Sequence, residues 1–138
     1  MSQRGSVHHV DLTVSDPVRA RPFYEAVLGF MGYVVSDTYE YGFDMDLRDA
    51  GGWVSSIGIL RARGENAGRA HDRYSPGLHH IAWTAASRED VDALHALLLE
   101  IGANILDAPA EYPKYGPGYY AVFFTDPDGL KLEYVFKP

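Results

Sequence analysis

Two histidine pairs head short apolar runs. His8-His9 opens His8-His9-Val10-Asp11-Leu12-Thr13-Val14, and His79-His80 opens His79-His80-Ile81-Ala82-Trp83-Thr84-Ala85. A neutral imidazole is a metal ligand or a proton carrier near neutral pH. The chain has no cysteine, so a metal would have to be held by nitrogen and oxygen. One carboxylate, Glu133, stands inside the last apolar run, Leu130 to Lys137. Two imidazoles and a carboxylate form a three-donor set suited to Fe(II), Mn(II), Zn(II), Ni(II) or Co(II), with positions left for water and substrate. A plainer reading stands beside this one: a strand histidine is packed or hydrogen-bonded, and Glu133 pairs with Lys131 or Arg61. Spacing does not separate the two, because the residues lie on distant strands.

The elements that must position these groups repeat. Residues 6 to 15 alternate as a strand, with Val7, His9, Asp11 and Thr13 on one face and His8, Val10, Leu12 and Val14 on the other. Asp16-Pro17 then supplies an N-cap and a first-turn proline. Ala20, Phe23, Tyr24, Val27 and Leu28 follow at helical spacing, and Gly29 is the expected stop. Pro22 inside this segment predicts a kink or a late start. Three strands are predicted next, over Met31 to Thr38, Tyr39 to Leu47 and Trp53 to Arg61.

After a polar linker over 63–76 the pattern restarts at Gly77. His80 shares a face with Ala82 and Thr84, while His79, Ile81, Trp83 and Ala85 point the other way. Ser87-Arg88-Glu89-Asp90 is a capping box before the stripe Val91, Leu94, Leu98 and Ile101, and Gly102 ends the helix. Strands fit Asn104 to Ala108, Gly118 to Thr125 and Leu130 to Lys137. The last two are joined by the turn Asp126-Pro127-Asp128-Gly129. The prediction is one α+β domain over 1–138, with two βαβββ modules, 6–62 and 77–138, forming a cupped mixed sheet with helices on its outer face. His9, His80 and Glu133 fall on the concave side, and His8 and His79 on the packing side or rim. Asp11 is either a partner of His9 or solvated. The proline- and tyrosine-rich stretch 108–120 predicts a loop over the cup, with Tyr115 or Tyr120 toward substrate.

Composition bounds the partners. A 46% hydrophobic chain of 138 residues can close one core. A formal charge of −7 disfavours nucleic acid and anionic membrane. No apolar run reaches the ~18 residues of a bilayer span, and residues 1–5 have no signal-peptide core. The expectation is a cytoplasmic protein with a small-molecule substrate.

The sequence resembles the vicinal oxygen chelate superfamily, which includes glyoxalase I, extradiol dioxygenases, fosfomycin-resistance thiol transferases, methylmalonyl-CoA epimerase and bleomycin-resistance proteins. The likeness is carried by His8-His9-Val10-Asp11-Leu12-Thr13-Val14-Ser15-Asp16, by Phe23-Tyr24-Glu25-Ala26-Val27-Leu28-Gly29-Phe30, by Leu78-His79-His80-Ile81-Ala82, and by Asp126-Pro127-Asp128-Gly129-Leu130-Lys131-Leu132-Glu133. It implies a divalent metal on His9, His80 and Glu133. It also implies a homodimer, and an enzyme of dioxygenase, lyase, isomerase or thiol-transferase type acting on vicinal oxygens. A fourth ligand would fall near Ser56 to Ile59, where the chain has no carboxylate or imidazole, and this departure moves the expectation away from glyoxalase I itself. The alternative implied by the same family is a metal-free, bleomycin-resistance-type binding protein.

Overall fold

The computed structural model of the chain describes residues 3–138. The chain divides into two compact units that meet in sequence at Arg69 and Ala70. The first holds β1 (His9–Val14), α1 (Pro17–Phe30), β2 (Val34–Tyr39), β3 (Gly42–Asp49) and β4 (Gly52–Arg61). The second holds β5 (His80–Thr84), α2 (Arg88–Glu100), β6 (Asn104–Glu111), β7 (Tyr120–Thr125) and β8 (Lys131–Phe136). The fold is α+β, two βαβββ modules, as the sequence repeat predicts. Hydrogen bonding forms two four-stranded sheets, ordered β1-β4-β3-β2 and β5-β8-β7-β6, one in each unit.

In each unit the first strand runs parallel to the last, and the other pairs are antiparallel. A parallel pair needs a crossover, which α1 and α2 begin. In the first unit Leu12, Val14, Phe43, Met45, Ile57 and Ile59 are buried together with Tyr24, Val27 and Leu28 of α1. In the second, Val122, Phe124, Leu132 and Tyr134 are buried with Val91, Leu94 and Leu98 of α2. Period-2 burial on the strands and period-3.6 burial on the helices meet on one face of each sheet. His9, Asp11, His80 and Glu133 therefore belong to the opposite faces.

The helix ends repeat as well, with one displacement from expectation. α1 starts at Pro17 under an Asp16 cap, so Pro22 delays nothing. It runs past Gly29 to Phe30, and Gly32, at φ +102°, takes the left-handed position. The bonds Gly32 N to Gly29 O and Tyr33 N to Leu28 O, both 3.0 Å, complete the cap. α2 ends the same way, with Gly102 at φ +70° and with Gly102 N to Leu99 O and Ala103 N to Leu98 O at 3.2 and 2.9 Å. Ile101 lies beyond this end and is exposed, so the buried stripe stops at Leu98. At its start Ser87 accepts from Asp90 N, and Asp90 returns to Ala86 N.

Several strand boundaries also differ from expectation: β2 begins at Val34 rather than Met31, because the residues before it close the helix, and β7 begins at Tyr120 rather than Gly118. Glu40 and Tyr41 form the turn between β2 and β3. β6 continues through Pro109 to Glu111, because it is an edge strand whose bulges leave that position outside the ladder. The loop before β7 is accordingly shorter than 108–120 and contains one 3-10 turn, Pro113–Tyr115.

Gly29 is helical, and open space surrounds a Cβ added to it. Gly29→Ala should therefore stabilise the chain by up to ~1 kcal/mol, while Gly32→Ala should destabilise it by ~1 kcal/mol or more. Urea unfolding midpoints check the opposite signs.

Candidate functional site

Glu133 is the central group of the second unit. It lies on β8 opposite Ala82 of β5 and Phe123 of β7, and is 2% exposed. A carboxylate so far from water must be hydrogen-bonded to remain there. His80 Nε2 lies 3.1 Å from its Oε1, and the Tyr119 hydroxyl donates to its Oε2. β5 and β8 are adjacent and parallel, so an imidazole at the start of one reaches a carboxylate two residues along the other.

His80 is tied at its second nitrogen too: its Nδ1 is 2.8 Å from His79 Nδ1. A bond between two such nitrogens requires a proton on one of them. When His80 carries it, His80 Nε2 has a free lone pair; when His79 carries it, His80 Nε2 can donate to Glu133. Desolvation, then the nearby charges of His80, Lys131 and Arg73, hold His79 below the usual imidazole value. A neutral His79 can take either role. His79, read from the sequence as packing or rim, is thus coupled to the tautomer of His80.

Tyr119 escaped the sequence reading, which selected Tyr115 and Tyr120. Tyr120 lies on the helix side of its sheet, its hydroxyl bonded to Asp92 of α2 at 2.6 Å and its ring under the Arg88 guanidinium. Tyr115 is exposed, stacks on Tyr112 and lies tilted against Tyr119. Strand alternation places Tyr119, not Tyr120, on the side of Phe123 and Glu133. Burial, then the Glu133 carboxylate, pushes the Tyr119 phenol well above its ordinary value. Tyr112, packed edge-on against Phe123, is raised by burial first and then by Asp107 and Glu133.

The first unit carries the matching pair in a different setting. His9 Nδ1 is 3.0 Å from His8 Nδ1, and the His8 ring lies against Trp53 with centroids 4.2 Å apart. Both histidines line a cleft of ≈ 350 Å³ with Asp11, Tyr39, Tyr41, Asp44, Trp53, Ser56 and Leu60. The position equivalent to Glu133 is Gly58, since Asp11 pairs with Gly58 as Ala82 pairs with Glu133. A side chain at Gly58 would force the Asp11 carboxylate to shift, because its Cβ would lie 2.2 Å from Asp11 Oδ1 and 3.1 Å from Asp44 Oδ1.

His80 and Glu133 suit a divalent ion: they are an N and an O donor already facing each other, and Tyr119 secures the second carboxylate oxygen. Among the described residues no three His, Cys, Asp or Glu side chains gather into one metal-holding group.

If Tyr119 satisfies the buried carboxylate, Tyr119→Phe should cost ~1–2 kcal/mol in chemical denaturation. Glu133→Gln should lower the alkaline titration of Tyr119 toward ordinary phenols, because removing the anion makes the phenolate less unfavourable. Stability from a raised phenol is complete below pH ~10 and lost as pH rises through the folded value. Spectrophotometric tyrosine titration of both variants checks this.

Comparison with known proteins agrees with the fold. The model of the Glyoxalase/Bleomycin resistance protein/Dioxygenase superfamily matches residues 6–134. YqjT of Bacillus subtilis (strain 168), itself uncharacterized, is 30% identical over 132 residues, covering 94% of this chain and 97% of its own. A solved structure from Bacillus halodurans, whose name places it among the glyoxalases, has a TM-score of 0.79 at 30% identity and covers 97% of both chains. Lactoylglutathione lyase from Agrobacterium tumefaciens shares the fold, with a TM-score of 0.68 at 15% identity and coverage of 98% and 96%. The chain belongs to the glyoxalase/bleomycin resistance protein/dioxygenase superfamily.

Proposed function

We propose that this protein is a divalent-metal-dependent enzyme acting on a small substrate with adjacent oxygens. The reading takes His80 and Glu133 of the second unit and His9 of the first as metal ligands, with Fe, Mn, Zn, Ni or Co as the ion. The observation that carries it is the His80–Glu133 contact at 3.1 Å, with the carboxylate 2% exposed. An isolated carboxylate is costly to bury, and this one has two specific partners, His80 and Tyr119.

The metal, when bound, acts as a Lewis acid on two neighbouring substrate oxygens and stabilises the negative charge that develops on them. The chain's own residues prepare for that chemistry. Tyr119 fixes the orientation of the Glu133 carboxylate, and His79 accepts the proton of His80 Nδ1, leaving Nε2 as the ligand atom. Phe123, with its ring 6.5 Å from that of His80, and Tyr112 form an apolar wall beside the pair that keeps water from Glu133. The glycine at position 58 leaves three ligands rather than four, so dioxygenase, isomerase or thiol-transferase chemistry is favoured over that of glyoxalase I. A cytoplasmic homodimer is part of the same reading.

A second reading has its own support. The His8, Trp53, Tyr39 and Tyr41 rings around the first unit's cleft suit a metal-free protein of the bleomycin-resistance type that holds a small molecule by stacking.

Titration of chelator-treated protein with Mn(II), followed by paramagnetic resonance, should show a stoichiometric site. His80→Ala and Glu133→Gln should weaken that site roughly 100-fold or more. No binding of Mn(II), Fe(II), Ni(II) or Zn(II) by the wild type would remove the enzyme reading and leave the binding-protein one.

A further inference from the structure

The two units differ at one pair of positions in a way that changes what the first unit can bind. In the second unit the strand pair carries Ala82 opposite Glu133, and in the first it carries Asp11 opposite Gly58. The acid has changed strands, and its surroundings have changed with it. Glu133 is buried with both oxygens occupied, whereas Asp11 is exposed and makes no hydrogen bond or ion pair with any described residue. Asp11 Oδ1 and Asp44 Oδ1 crowd the same point above Gly58. Tyr39 holds the other oxygen of Asp44, so that carboxylate keeps one face toward the cleft.

Among the described residues, no lysine or arginine lines the cleft. Its walls are aromatic: Tyr39 and Tyr41 stack with centroids 5.0 Å apart, and Trp53, anchored by Nε1 to Ser56 Oγ at 2.9 Å, covers His8. Two like charges without a counter-charge repel one another, and ring faces add attraction for any cation between them. The space, ≈ 350 Å³, exceeds what a bare ion needs and suits a small organic group.

We infer that the cleft of the first unit binds an organic cation, a protonated amine whose nitrogen sits against Asp11 and Asp44 and whose carbon frame lies on Tyr39, Tyr41 and Trp53. The inference deepens the proposed function by naming a charged feature of its substrate, but the binding itself requires no metal. Gly58 is part of the design, because a side chain there would displace Asp11 from the point both carboxylates face.

Calorimetric titration of the full chain in the presence of a chelator tests this. The probes are benzylamine, protonated at pH 7, its neutral analogue benzyl alcohol, and benzoate. Benzylammonium should bind at least about tenfold more tightly than the alcohol, and benzoate not at all. Asp11→Asn and Asp44→Asn should each weaken benzylammonium about fivefold or more while leaving the melting temperature within a few degrees. The inference is overturned if amine and alcohol bind equally, if either Asn variant binds the amine as the wild type does, or if the amine does not bind at millimolar concentration. It is overturned equally if the two aspartates prove necessary for Mn(II) and not for the amine. Loss of the metal reading has a different signature: no Mn(II) site, with benzylammonium binding intact.

Discussion

The second unit depends on keeping one carboxylate out of water. Burying Glu133 alone would cost several kcal/mol, and the offset comes from His80 on the neighbouring strand and Tyr119 just before β7. Both must arrive at fixed positions. The parallel pairing of β5 and β8 sets the first, and β7 in antiparallel register with β8 sets the second. That pairing requires a crossover through α2, which Ser87 and Asp90 start and Gly102 stops. Asp126 then closes the turn into β8, accepting from Asp128 N and Leu130 N at 2.9 and 2.8 Å. The helix, the turn and the three strands can be read as the means of setting one carboxylate beside one imidazole.

The same scaffold in the first unit serves another arrangement. Placing the small residue on β4 and the acid on β1 gives an open, aromatic-walled cleft in place of a buried pair. Both units keep the doubled histidine, with Nδ1 atoms 3.0 and 2.8 Å apart. In each, the first histidine is more than packing: His79 shares with His80 the proton that determines which nitrogen of His80 is free, and His8 joins His9 in the cleft lining.

Much of this was legible in the sequence. The strand alternation around His9 and His80 was enough to place them opposite the helix-packing faces, and Asp126-Pro127-Asp128-Gly129 announced its own turn. What could not be read was the result of pairing between distant segments. Tyr119 and Tyr120 are neighbours, and only the register of β7 against β8 decides which of them reaches Glu133. Gly29 and Gly32 are both plausible helix stops, and only the backbone shows the left-handed one. The absence of a ligand near Gly58 was visible, but its occupation by Asp11 and Asp44 follows from three-strand register and not from spacing. β6 ran longer than expected because a proline on an edge strand leaves no ladder bond unmade.

The central claim is that His80 and Glu133 are metal ligands rather than a closed hydrogen-bonded pair. Crystals grown with Mn(II) and measured for anomalous scattering test it most directly. The account predicts a peak bonded to His80 Nε2 and a Glu133 carboxylate oxygen, with Tyr119 still on the other oxygen and His80 Nδ1 still on His79. A structure from saturating Mn(II) that shows no peak there, with the His80–Glu133 hydrogen bond intact, would contradict it.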